Sequence, residues 1–422
     1  MRRHTGRVSF EPIEDVLSGG RGERRRGLPG WRRARVAGIV VVIIVIVAVV
    51  AVVRQSSSSR GGPDAHQQVR HPSTPSSSPT LPAISGVRYL AFPGRVVAAG
   101  GELLVLNGSP YSVTMVQPGQ TTPVWTMRMP GLPVAAAAGG ANSVWVATRV
   151  DGATAVRPFQ LIRLARNSGQ ITARIPIPDV PFSLAVVAGQ VWVGSDHRLL
   201  SVDATTGRVR RLDVPGGAVI DLLADPAAHR LFGLLVGEAR GQVVAWSDRD
   251  GQVIARHVEF GTADTNGLSP TSMAIGFGML WVTAGTQDGF HGALERLGME
   301  RLQAFTPGVQ ADAVSAGSTI AAGAGALWLT GSDSNGTPTL SCFKPVTPDY
   351  ARHPAFALPD NVDPQEPSGK AMVVIGSRVY VRGLNRVQEI AASAACVDRR
   401  VSRRCRRCFS GPFKVGCRKS PP

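Results

Sequence analysis

From residue 86 onward one phrase keeps returning: a strand of small residues, a Gly turn, then a short β run with an aromatic at its centre. The clearest copies are Ser143-Val144-Trp145-Val146, Gln190-Val191-Trp192-Val193, Met279-Leu280-Trp281-Val282 and Ala326-Leu327-Trp328-Leu329. Weaker copies lie at 103–106, at Leu231-Phe232-Gly233-Leu234 and at Arg378-Val379-Tyr380-Val381. Anchored on Leu104, Trp145, Trp192, Phe232, Trp281, Trp328 and Tyr380, the successive intervals are 41, 47, 40, 49, 47 and 52 residues. A β-rich unit of this size cannot bury its apolar face alone and must stack on its neighbours. Seven in series predict an all-β, seven-bladed propeller over 83–396. The Trp residues at strand centres are expected to be blade-packing core rather than a ligand cage.

One unit has room for four strands. In the third, 184–187 is the expected inner strand, 191–193 the second, 199–202 the third and 209–214 the outer one. The third-to-fourth turn recurs as Asp203-Ala-Thr-Thr-Gly207, Arg166-Asn-Ser-Gly169 and Ser247-Asp-Arg-Asp-Gly251. A polar residue opening a turn that ends in Gly is hairpin chemistry, because Gly accepts the positive φ that closes it.

The pattern P-x-x-hydrophobic-Ala, then G-x-V-W-V, then hydrophobic-Asp-x-x-Thr-Gly-x-Val resembles the YVTN/WD40-like bacterial propellers, a superfamily with lactonase-like and lyase-like members. The resemblance covers 86–396, clear in blades two, three, five and six and degraded in the others. It implies a fold and says little about activity. Asp203 to Gly207 also touches the repeat of quinoprotein propellers, but Arg211 stands where their docking Trp is expected.

Strand order sorts the loops by side. First-to-second and third-to-fourth turns share one face and are expected to be uniformly short. Second-to-third loops (148–160, 284–294, 331–339) and blade-to-blade connections (261–270, 358–369) share the other and are long and varied. Variable loops on a rigid scaffold are where recognition sits, so this is the expected working face. Its blade-to-blade loops carry Asp179, Asp264, Asp312, Asp360, Asp363 and Glu366. Clustered at a channel mouth, these acids could hold a divalent cation or meet a partner; turn-forming Asp beside Pro and Gly is the ordinary alternative.

Catalytic spacing is absent from the sequence. His197, His229, His257, His291 and His353 form no H-x-x-x-H or H-E-x-x-H pattern, and there is no G-x-S-x-G elbow or phosphate-cradling loop. The lyase-like propellers use a His near the channel, and His291 is its nearest counterpart here. Cys342 and Cys396 are a possible disulfide in an exported domain. Cys405, Cys408 and Cys417 resemble half a zinc knuckle without its fourth ligand.

Before the propeller, residues 36–53 read VAGIVVVIIVIVAVVAVV, eighteen residues without a charge. As a helix this run spans roughly 27 Å, close to a bilayer's hydrocarbon core. Arg is dense before it (Arg32, Arg33, Arg35) and dilute after it, which predicts a cytoplasmic N-terminus, residues 1–35, and an extracytoplasmic remainder. A cleaved signal peptide is the alternative, against which stand the long basic lead and the lack of a clear A-x-A site. Residues 54–82, rich in Ser and Pro, read as a disordered stalk, and 397–422 as a basic disordered tail.

The net charge of +17 belongs to the ends: residues 1–35 carry +6 and 397–422 carry +8, leaving +3 for everything between. A nearly neutral propeller has no electrostatic footprint for nucleic acid. The Arg-, Ala-, Gly- and Val-rich composition fits an actinobacterial source. The expected function is a single-pass, membrane-tethered, non-enzymatic binding or scaffold module for an extracytoplasmic protein, glycan or small ligand, with no resident cofactor. The alternative is a lyase- or lactonase-like enzyme with a cation at the channel mouth.

Overall fold

In the computed structural model, the described residues are 84–396, leaving out 85, 93, 141, 151–157, 238–240, 259, 261–268, 286–291, 306–308, 311–317, 333–335, 345–355 and 360–370. The predicted membrane span, stalk and both tails therefore lie outside the described residues. Among the described residues, no helix is long and apolar enough to cross a membrane.

Among the described residues the chain forms seven four-stranded antiparallel sheets. Blades 1 to 6 occupy 94–128, 132–177, 181–213, 218–257, 269–310 and 320–357, each in simple meander order. The first strand of each blade packs against the first strand of the next, and the ring closes between Gly94–Ala99 and Met372–Ile375. The seven-bladed propeller expected from the repeat is the observed fold.

Blade 7 is composite. Its first three strands, Met372–Ile375, Arg378–Arg382 and Val387–Ala391, come from the C-terminal end, and its outer strand is Arg88–Leu90. Arg88 pairs with Glu389, Tyr89 with Gln388 and Leu90 with Val387, so a strand from before blade 1 fastens the ring. The anchor residues sit where the repeat put them: Leu104, Trp145, Trp192, Phe232, Trp281, Trp328 and Tyr380 are all at most 2% exposed. They are packing groups between blades. Trp281 and Trp328 donate their indole N–H to Gly276 O and Gly323 O, at 3.0 and 3.1 Å, which satisfies the ring's polar atom inside the core.

Turn chemistry follows the sequence closely. Gly169, Gly207 and Gly251 each donate to the carbonyl four residues back and take φ near +70°. Asp203 Oδ1 accepts from the backbone N–H groups of Thr205 and Thr206, at 2.9 and 2.7 Å, and these bonds hold its carboxyl below the ordinary carboxylate range. In blade 5 the same position is Leu302, with φ +52° and its N–H bonded to Gly298 O at 2.8 Å.

One expectation needs correction. The face of the first-to-second and third-to-fourth turns is not uniformly short, because blade 6 carries a third-to-fourth connection of 344–355. The outer strands of blades 5 and 6 are two residues long, Val309–Gln310 and Phe356–Ala357. In blade 5 the chain still reverses tightly, with Leu297 bridging Ala304 ahead of that strand. The opposite face remains the richer in long connections, with 150–158, 258–268, 311–319 and 358–371.

Candidate binding site at the channel mouth

An inner propeller strand is a sheet edge: one row of its backbone N–H and C=O groups pairs with the second strand and the other row faces the axis. The side chains that accompany those edges decide what the axis can hold. Here they are mostly small or aliphatic. An axial cavity of about 280 Å³ is lined from blades 7, 1, 2, 3 and 4, with Val97, Val134, Phe182, Ile220 and Val373 among its apolar walls. The alanine run Ala135 to Ala138 keeps the wall of blade 2 thin. Two charged residues join this lining, Arg95 from blade 1 and Asp221 from blade 4.

A second cavity of about 270 Å³ shares Arg95, Leu106 and Val134 with the first. Its other walls place it at the mouth on the long-loop face. Gly94, Leu132 and Pro133 open inner strands there, Gly108 and Ser109 close the second strand of blade 1, and Arg382 and Leu384 close that of blade 7. The two cavities thus adjoin at the seam of blades 1 and 2, one toward the axis and one toward the long-loop face. At roughly 30 Å³ per water, each holds about nine waters' worth of volume, close to the lower end of the range of small-molecule sites.

The electrostatics of this mouth are cationic among the described residues. Arg95 donates from Nη1 to Val134 O at 2.6 Å, which fixes its guanidinium across the seam between blades 1 and 2. Arg95 and Arg382 each have further polar partners, so both side chains are oriented rather than waving in solvent. Arg149 ends the second strand of blade 2 on the same face, and Arg386 stacks on the ring of Tyr89 at 3.6 Å from its centroid. Leu384 stands beside them, 52% exposed.

Of the acids predicted for this face, Asp264, Asp312, Asp360, Asp363 and Glu366 lie outside the described residues, as does His291. Asp179 is described and belongs to a different arrangement. Its Oδ1 accepts from Arg198 Nη1 at 2.8 Å, and Arg198 also meets Asp213 at 3.6 Å. Arg198 opens the third strand of blade 3, so Asp179 is drawn outward along the blade and lines neither cavity. Cys342 and Cys396 come together, joined in a disulfide with Cα atoms 5.8 Å apart.

Sequence reasoning passed over Arg95 and Arg382 because both sit inside strands, at positions where Arg usually means a solvated face. The only available signal was position: each lies within two residues of a strand end that faces the long loops. It also passed over His257, whose Nε2 lies 3.1 Å from Glu295 Oε2 in a largely buried pair. That pair joins the outer strand of blade 4 to the third strand of blade 5 and lines neither cavity. Among the described residues, no three His, Cys, Asp or Glu side chains gather as a metal site would require.

No family profile matches this chain, and no curated protein matches its sequence. Solved structures do match in shape. Hydrazine synthase of Kuenenia stuttgartiensis aligns with a TM-score of 0.50 at 13% identity, covering 72% of this chain and 97% of that one. The β-propeller domain of Cps50 (Swd1) from Myceliophteria thermophila aligns with a TM-score of 0.54 at 10% identity, covering 72% and 98%. The WD40 domain of Neurospora crassa Pan2 aligns with a TM-score of 0.49 at 9% identity, covering 71% and 88%. At these identities the likeness is one of fold.

Proposed function

We propose that this chain is a membrane-tethered, extracytoplasmic binding module that takes its ligand on the long-loop face, at the channel mouth between blades 7, 1 and 2. One observation carries the reading: two cavities adjoin there, sharing Arg95, Leu106 and Val134, the axial one with mostly apolar walls and the outer one with Arg95 and Arg382 in its lining. A concave, mostly apolar site with a few oriented polar groups is the usual form of a small-ligand pocket. The tether rests on the sequence, an uncharged run at 36–53 flanked by Arg on its N-terminal side. A tether and a Ser- and Pro-rich stalk suit a propeller held outside the cytoplasm.

Full-length protein in native membranes tests both halves. Protease added to intact cells should remove the propeller and leave the N-terminal tail protected. After incubation with a small-molecule extract and washing, wild-type membranes should retain a compound that Leu384→Asp loses. Phe277→Asp, on the opposite face, should retain it. Equal retention by both variants would overturn the choice of face, and protection of the propeller would overturn the topology.

A further inference from the structure

We infer that the axial cavity takes a small uncharged molecule, mostly hydrocarbon, held by side chains that β-bulges turn toward the axis. The inference rests on the binding-module reading above and names its ligand class. In four consecutive blades the inner strand carries one residue with no partner on the second strand. In blade 2, Pro133 pairs with Thr148 and Ala135 with Ala147, which leaves Val134 between them. Phe182 in blade 3, Ile220 in blade 4 and Thr271 in blade 5 stand in the same place. An extra residue of this kind bends its strand and re-aims its side chain. Blade 1 has no bulge there, since its register runs unbroken from Gly94 to Ala99.

The apolar bulge residues are the ones that line the cavity. Val134, Phe182 and Ile220 come from three successive blades, are each partly exposed, and share this lining with Val97 and Val373. Thr271 lies outside the lining, and its hydroxyl is held by the Thr283 hydroxyl and by Ser318 O, at 2.9 and 3.1 Å. Phe182 joins none of the core clusters between blades, so its ring serves as a wall of the cavity.

Charge and volume narrow the ligand. Arg95 and Asp221, the charged residues of the described lining, are each already engaged with another group. A charge brought in by the ligand would be buried without a partner, which costs far more than burying a hydroxyl. A hydroxyl or carbonyl needs only a hydrogen bond, which the axis-facing backbone row of an inner strand can supply. A dry cavity of about 150 Å³ holds benzene, so about 280 Å³ suits a single ring with a short substituent.

The test uses the full chain in phosphatidylcholine nanodiscs, with empty nanodiscs as the blank. Three probes share one ring: cyclohexylmethanol, cyclohexanecarboxylate and cyclohexylmethylammonium. Saturation-transfer NMR titration reads their affinities. Cyclohexylmethanol should bind saturably and at least roughly 10-fold more tightly than either ion, a difference of about 1.4 kcal/mol. Phe182→Ala removes a wall and should lower that affinity by roughly 10-fold, Phe182→Leu should lose less, and Phe277→Asp on the opposite face should lose nothing. The unfolding temperature is recorded for every variant.

An ion that binds as tightly as cyclohexylmethanol, with both sensitive to Phe182→Ala, overturns the uncharged ligand and leaves the pocket standing. No saturable binding above the blank, or binding indifferent to Phe182→Ala in folded protein, overturns the axial site. Retention of an extracted compound that Leu384→Asp loses would then still uphold the mouth, so the two failures are told apart.

Discussion

At the scale of single residues, the left-handed backbone positions carry the sharpest predictions, because the same φ is reached for opposite reasons. A non-Gly residue there costs roughly 1–2 kcal/mol. Leu302 adopts φ +52° while its side chain is 1% exposed in the core between blades 4 and 5. Leu302→Gly relieves the backbone but empties a site whose loss costs about 2–5 kcal/mol for truncation to Ala alone. Burial wins, and the variant should be less stable by about 1–3 kcal/mol in urea denaturation. Phe277 adopts φ +55° in the two-residue turn before Gly278, yet 45% of it faces solvent. Phe277→Asn supplies the residue such turns prefer and gives up little buried area. It should be neutral or stabilising by up to about 1 kcal/mol, and a marked loss of stability would mean that the exposed ring is held by something else. The sequence discloses the Gly-closed turns of blades 2, 3 and 4 because their residues are the ones the backbone demands. It hides the turn of blade 5, where the gain comes from a tertiary contact that no local rule records.

At the scale of elements, the closure of blade 7 gathers two arginines on one buried carboxylate. Glu389, 1% exposed, accepts from Arg378 on the neighbouring strand and meets Arg88 of the N-terminal strand at 3.5 Å. Both arginines are partly exposed, so removing the carboxylate leaves two cations that can turn toward water. Breaking a fully buried pair costs about 3–5 kcal/mol. Glu389→Ala should therefore cost somewhat less, about 2–3 kcal/mol, and should loosen Arg88–Leu90 first, as hydrogen exchange at Leu90 would show. Beside the pair, burial and then the Glu389 charge push the Tyr380 hydroxyl up to about 12. A phenol whose folded value is raised supports the fold fully below its unfolded value near 10 and loses that support as pH climbs toward about 12. Urea midpoints for wild type should fall between pH 10 and 11.5, and Tyr380→Phe should flatten that fall. An unchanged slope would place the alkaline sensitivity elsewhere. The sequence shows a weak seventh repeat but not its fourth strand. Three residues, Arg-Tyr-Leu, complete a sheet whose other members lie some three hundred positions away, and only ring geometry brings them together.

At the scale of the whole molecule, the periodicity was legible because every blade must bury one large side chain at the same depth, and Trp is hard to miss. The mouth was less legible. Loop acids stand out in a sequence, whereas Arg95 and Arg382 acquire their meaning only once the first and last blades are adjacent. The same adjacency bears on Cys342 and Cys396. Cys342 lies on the third strand of blade 6 and Cys396 follows the short helix after blade 7, 54 residues on, so their bond spans the last seam before the ring closes. It is thus a second fastener, independent of the Arg88–Leu90 strand. For a closed loop of that length the chain-entropy estimate is about 4 kcal/mol. Peptide mapping without reductant, on protein taken from native membranes, should find the Cys342 and Cys396 peptides linked. Reductant should lower the unfolding midpoint of wild type and leave Cys342→Ala/Cys396→Ala unmoved. Such a bond persists in oxidising compartments and is rare in the cytosol, so the same experiment reports on topology. Linked peptides agree with a propeller held outside the membrane by the 36–53 segment. Two free thiols in freshly isolated protein would remove the second fastener and the extracytoplasmic placement at one stroke.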